Sequence, residues 1–168
     1  MSQKIRAIIV ADTGPLIALA KINHLSILSQ LYQQIKIPET VFAEATINSN
    51  WRDSQQIDSF VQEKAELCAD LEMDQVEVLL QRLDAGESQA IALADSLRCP
   101  VLLDERRGRI VAKQLQIDIV GTIGLLLTAK QEGLIPEIAP LLQAMTKNGY
   151  RLAPALIKQA LVLAGEKN

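Results

Sequence analysis

The chain has 168 residues, a formal net charge of −3, 49% hydrophobic residues and 22% charged ones, which is room for one compact domain and argues against long disorder. Aromatic residues make up only 3%, so the core is aliphatic and an RNA-binding sheet built on stacked rings is excluded. The acidic balance excludes a surface that coats nucleic acid by charge alone, yet the charge is uneven. Residues 1–84 hold 7 basic and 12 acidic side chains, and residues 85–168 hold 10 and 8, with Arg106, Arg107, Arg109 and Lys113 in a stretch free of acids.

Arg6 to Ala11 is a short β-rich apolar run that does not alternate, which predicts a strand covered on both faces. Pro15 suits the first turn of a helix toward Lys21, and Leu25, Leu28, Leu31 and Tyr32 extend helical spacing over His24 to Gln34. Ile35-Lys36-Ile37 is a short strand stopped by Pro38, which also opens a helix through Val41, Phe42 and Ala45. A polar break follows at Asn48 to Asp53, then a helix from Ser54 to Lys64. An acidic, weakly patterned stretch runs to Glu72, and Met73 to Leu83 is helical. Asp84-Ala85-Gly86-Glu87 starts a helix to Arg98. Val101-Leu102-Leu103 is a buried strand ending at Asp104, Arg106 to Leu115 a helix, and Ile117 to Val120 another strand. Helices follow over Thr122 to Glu132, Pro136 to Lys147 and Pro154 to Ala164. Strands alternating with helices predict one α/β domain over residues 1–168 with a mainly parallel sheet and a C-terminal helical segment from 134 to 168.

Two strands end in aspartate, Asp12 and Asp104, and in open parallel sheets ligands bind beyond the carboxyl ends of the strands. Two carboxylates at one sheet edge repel unless a proton or cation intervenes, and hard oxygen donors without Cys or His suit Mg²⁺ or Mn²⁺. Each aspartate alone also reads as a turn former or helix cap. Glu87 has two readings. Its spacing from Asp84 is that of a capping box, and it also heads the apolar stripe of Ala90, Ile91 and Ala94, which aims it at the sheet edge. Glu44 sits at the margin of its helix's buried face, facing either solvent or the same edge. Asp95 lies too far down its helix, and His24, the single histidine, caps or packs. Cys68 and Cys99 are isolated, so neither a zinc site nor a disulfide framework is expected. Glycine-rich phosphate loops and the GxSxG elbow are absent. Lys4 and Arg6 precede an apolar stretch as in an export signal, but Asp12 and Gly14-Pro15 interrupt it, and the uncharged run Ile119 to Ala129 is far short of the roughly 20 residues of a membrane helix. The expected location is the cytoplasm.

Four segments in order, Ile-Val-Ala-Asp12-Thr13-Gly-Pro-Leu-Ile, Ile-Pro-x-x-Val-x-x-Glu44, Gly-Glu87-Ser-Gln-Ala-Ile-Ala-Leu-Ala and Leu-Leu-Asp104-Glu105-Arg-Arg-Gly, resemble the PIN-domain family of metal-dependent nucleases. The likeness is greatest to a toxin-like branch classed as a domain of unknown function, whose later motifs match Val120-Gly121-Thr122-Ile123-Gly124-Leu125-Leu126 and Gly149-Tyr150-Arg151-Leu152-Ala153-Pro154-Ala155-Leu156. The resemblance implies a three-layer α/β/α fold with four or five strands. It implies a ribonuclease that cuts single-stranded RNA to leave a 5′-phosphate and a 3′-hydroxyl. Asp12, Glu44, Glu87 and Asp104 are then the catalytic acids and ligands of Mg²⁺ or Mn²⁺, with Glu105 sharing or replacing the role of Asp104 and Thr13 steadying Asp12. Glu87 stands where many members have Asp. Arg106, Arg109 and Lys113 share a helix face and would steer the RNA backbone. The family also suggests the toxin of a toxin–antitoxin pair, a small antitoxin protein as partner, and a homodimer, for which part of the apolar stripes of residues 134–164, or the helix pair after Pro38, offers a surface. A non-catalytic RNA- or protein-binding module on the same fold is the alternative reading. A metal-dependent phosphatase is a third, against which the lack of a second aspartate at position 14 counts.

Overall fold

The computed structural model describes residues 6–48 and 51–167. The chain opens with β1 (Arg6–Ala11), α1 (Thr13–Lys21), α2 (Ser26–Leu31), β2 (Tyr32–Pro38), α3 (Glu39–Ala45), α4 (Arg52–Lys64), β3 (Glu66–Cys68) and α5 (Asp74–Leu80). It continues through α6 (Ala85–Leu97), β4 (Val101–Leu102), α7 (Arg106–Gln114), β5 (Ile119–Val120), α8 (Thr122–Gln131), α9 (Ala139–Lys147) and α10 (Pro154–Ala164). The five strands form one sheet in the order β3-β2-β1-β4-β5, parallel throughout, with Ile9 opposite Ile35 and Ala11 opposite Leu102. Right-handed crossovers in this order send α1–α4 to one face and α5–α7 to the other, and α8 returns to pack beside α1. The result is the expected three-layer α/β/α architecture. Covered on both sides, Ile9, Val10 and Ala11 are fully buried, which explains why β1 is apolar without alternation.

Two expectations from local pattern are corrected. The helical spacing of His24 to Gln34 stops at Leu31, because Tyr32 pairs with Arg6 and Gln34 with Ile8 in the ladder; strand pairing outweighs a short stretch of helical period. The weakly patterned acidic stretch contains β3, a three-residue edge strand on β2 whose Glu66 is ion-paired with Lys36. Strand and helix ends elsewhere draw in by a few residues: β5 begins at Ile119, α5 covers Asp74–Leu80 and α9 begins at Ala139.

The C-terminal helices are better covered than their stripes suggested. Ile138, Leu142 and Met145 are buried, as are Ala160 and Leu161 on α10, while Leu156, Val162 and Leu163 stay exposed. Glu166 fastens this segment. One of its oxygens accepts the Ile138 N–H at 2.8 Å and the Lys130 ammonium at 2.9 Å, and the other accepts the Ala139 N–H at 2.9 Å. No helix among the described residues is long and apolar enough to cross a membrane.

Candidate active site

The strand order reverses between β1 and β4, and a crevice opens at such a switch point beyond the carboxyl ends. Asp12 stands at the end of β1, its N–H bonded to the Leu102 carbonyl at 3.0 Å. It is 4% exposed, and its Oδ1 is buried without a hydrogen-bond partner. Burial drives its pKa up from 3.8 to about 7; the Thr13 N–H opposes this, and Glu87, Asp84 and Glu44 reinforce it.

Glu87 satisfies both of its readings. Its N–H donates to Asp84 Oδ1 at 2.8 Å and its own Oε2 accepts the Asp84 N–H at 3.3 Å, so the capping box is formed. It is also only 7% exposed. Burial raises its pKa first, then the nearby charge of Asp84, with Glu105 and Glu44 adding to the same effect and the Asp84 N–H opposing it.

Glu44 is half-buried rather than solvent-facing. Its Oε2 accepts the Thr13 hydroxyl at 2.8 Å and its Oε1 accepts the Gly86 N–H at 3.2 Å. The Thr13 hydroxyl therefore steadies Glu44, not Asp12 as the resemblance implied. A side chain at position 86 would collide with Glu44 Oε2, so a glycine near the start of α6 lets two helices meet at the acid.

Asp104 lies at the same sheet edge but is turned into other work. Its Oδ1 accepts the Thr122 N–H at 2.8 Å, and its Oδ2 accepts the hydroxyls of Thr122, at 2.5 Å, and of Tyr150. It thereby caps the start of α8 from another element and ties down the link between α9 and α10. The Tyr150 hydroxyl is pushed above its ordinary range by burial and by the Asp104 charge. Glu105 is among the acids whose charge raises the pKa of Glu87. Asp95 bonds Gln75 at 2.8 Å, outside the group, and His24 Nδ1 pairs with the Ile22 carbonyl.

The acids brought together are thus Asp12, Glu44, Asp84 and Glu87, with Glu105 nearby. The sequence marks Asp84 only as a cap and gives Gly86 and Tyr150 no role. The one available signal was the glycine itself, since a glycine inside a helix is costly unless something must approach closely. Arg106, Arg109 and Lys113 are exposed on α7, and Arg109 reaches back to Gly121, over which Asp104 Oδ1 also lies.

A PIN-domain family model matches residues 8–166. The chain belongs to the PIN-domain family. PIN domains are generally nucleases that use divalent metals. No curated protein sequence matches the chain. Among solved structures, PAE2754 from Pyrobaculum aerophilum is similar at 16% identity, with 76% of this chain aligned to 97% of that one and a TM-score of 0.55; this is a likeness of fold. SSO1118, a PilT N-terminus domain protein from the hyperthermophilic archaeon Sulfolobus solfataricus P2, aligns at 17% identity over 73% of this chain and 92% of that one, with a TM-score of 0.48.

The residues of this PIN domain suit a hard divalent cation by the chemistry of their donors. Asp12 offers a buried carboxylate oxygen that no protein group satisfies. Among the described residues no three acidic, histidine or cysteine side chains converge closely enough to close around one ion. Glu44 and Asp104 have both oxygens bonded within the protein.

Proposed function

We propose that this chain is a metal-dependent endoribonuclease that hydrolyses phosphodiester bonds in single-stranded RNA. The observation that carries the reading is Asp12: a buried carboxylate with an unpartnered oxygen, surrounded by Glu87, Asp84 and Glu44. Such a group is held against its own repulsion, and a cation relieves that repulsion. Asp12 and Glu87 would hold Mg²⁺ or Mn²⁺, with Glu44 and Glu105 beside them. When bound, the metal supplies an activated water and offsets charge on the phosphate.

The chain's own residues do the rest. The Thr13 hydroxyl and the Gly86 N–H fix the Glu44 carboxylate. The capping box fixes the Glu87 main chain and engages only Oε2 of its carboxylate. Asp104 holds the start of α8 in place at the sheet edge. Arg106, Arg109 and Lys113 draw the RNA backbone toward an otherwise negative pocket. The narrower reading, the toxin of a toxin–antitoxin pair, adds a small antitoxin protein as partner and growth arrest on induction as its readout.

Calorimetric titration with MnCl₂, together with cleavage of mixed RNA and DNA oligomers, tests the proposal. The native chain is expected to bind Mn²⁺ and to cut RNA only with the metal present, and Asp12→Asn is expected to lose both. Mn²⁺ binding and cleavage undiminished in Asp12→Asn would remove the acid group from the reaction. A native chain that binds RNA but neither binds Mn²⁺ nor cuts would be a non-catalytic module.

A further inference from the structure

A groove of about 530 Å³ runs between α8 and α10 and opens at Asp104, which follows the end of β4 as Asp12 follows the end of the neighbouring β1. Its walls are aliphatic: Leu156 and Leu163, two turns apart on α10, are 44% and 65% exposed and face Ile123 and Leu127 of α8 across the groove. Two arginines line it, Arg109 from α7 and Arg151 from the segment before α10. Both are exposed, and neither takes part in an ion pair among the described residues. The only acid lining the groove is Asp104, whose oxygens are occupied by Thr122 and Tyr150. At Gly124 the wall has no side chain, and open space lies where one would begin.

We propose that this groove seats the single-stranded RNA flanking the scissile phosphate. Arg151 and Arg109 hold backbone phosphates, and the leucines of α10 pack against ribose and base faces. The choice of a polyanion rests on the nuclease reading and on charge. Two unpaired guanidiniums stand where a strand leaves a cluster of carboxylates that would otherwise repel it. Aliphatic walls without a fixed set of donors and acceptors pack on any base, so binding is tolerant of sequence. Arg151 is thereby assigned a phosphate-binding role, and Tyr150 a positioning role, because its bond to Asp104 anchors the residue before Arg151.

The test uses the full chain carrying Asp12→Asn, so that binding is read without cleavage, and a short fluorescein-labelled RNA of mixed sequence followed by anisotropy over a range of KCl. Arg151→Ala is expected to weaken binding roughly fivefold to tenfold and to flatten the slope of log affinity against log salt by about 0.7, the loss of one single-strand phosphate contact. Arg151→Lys should restore the slope. Leu163→Glu should weaken binding comparably, whereas Lys158→Ala, exposed on α10 outside the groove, should not. Native affinity and slope in both Arg151→Ala and Leu163→Glu would overturn the proposal. So would a change of oligomeric mass by light scattering in Leu163→Glu with RNA affinity intact, which would make the face a protein interface. If the native chain fails to cut RNA while these binding losses hold, the nuclease reading falls and the groove assignment stands.

Discussion

Gly86 and Glu44 stand on different helices and share one contact: the Gly86 N–H donates to Glu44 Oε1 at 3.2 Å, and Glu44 Oε2 fills the space where a residue-86 side chain would begin. The contact locks the start of α6 to α3 at the acid group. Gly86→Ala should therefore move the flexible end of Glu44 and little else. Alanine is favoured over glycine in a helix by about 1 kcal/mol, so thermal stability should hold or rise slightly while Mn²⁺ affinity falls. A calorimetric titration beside a melting curve separates the two. Unchanged metal affinity would show that the Glu44 carboxylate need not sit where it does.

Asp12 carries a signed dependence on pH. Its pKa is raised from 3.8 to about 7 by burial foremost, so the folded chain binds the proton more tightly than the unfolded one. Native stability linked to this group is complete below about pH 4 and is lost as pH rises through 7. Asp12→Asn should accordingly be more stable than the native chain in metal-free buffer above pH 7, by up to roughly 4 kcal/mol. The difference should shrink toward zero near pH 4. Melting temperatures of both chains in EDTA across that range check it; an advantage that does not grow with pH would mean that Asp12 is not held in a repulsive site.

Glu87→Gln separates the two roles this residue combines. Glutamine keeps the capping-box geometry and removes a charge that burial and Asp84 disfavour. Stability should change by less than about 1 kcal/mol, while Mn²⁺ affinity should drop at least tenfold. Equal metal affinity in the variant would leave Glu87 as a cap only.

Much of this was legible in the sequence. The non-alternating run into Asp12 and the two strands ending in aspartate located the sheet edge, because burial on both faces and the chemistry of strand ends are local properties of the chain. The capping box at Asp84 and Glu87 was legible for the same reason. What was not legible depends on long-range partners. Asp12 and Asp104 have the same local signature, yet one is orphaned beside like charges and the other is enclosed by Thr122 and Tyr150, residues 18 and 46 positions away along the chain. β3 was hidden because its three residues owe their conformation to β2, not to their own pattern.

That difference between the two aspartates predicts opposite signs. Asp104→Ala leaves the Thr122 N–H and hydroxyl and the Tyr150 hydroxyl without their acceptor, and hydrogen bonds to a charged group contribute about 1.5–3 kcal/mol each. Because Asp104 is only half-buried and water takes up part of the lost bonding, the variant should be destabilised by roughly 2–4 kcal/mol in all, where Asp12→Asn is stabilised. Tyr150→Phe should reproduce part of that loss. Denaturant unfolding of the three variants at pH 8 without metal is the measurement, and an Asp104→Ala chain as stable as the native one would refute the structural role.

Glu166 supplies the last prediction, at the opposite end of the pH scale. It accepts the N–H groups of Ile138 and Ala139 at the start of α9 and pairs with Lys130 at the end of α8. These bonds outweigh the cost of burial and hold its pKa below the ordinary 4.5. A lowered pKa gives stability that is present above the unfolded value and is lost as pH falls through the folded one. Glu166→Ala should therefore cost about 1 kcal/mol at neutral pH, as the loss of a helix cap does. The gap to the native chain should close as both are acidified below pH 4.5. Because the staple holds α9 and not the acid group, Mn²⁺ affinity at neutral pH should be unchanged in the variant. Urea titrations at neutral and acidic pH read the first effect and calorimetry reads the second. A gap that persists at low pH would assign the loss to packing of the chain end and not to the carboxylate.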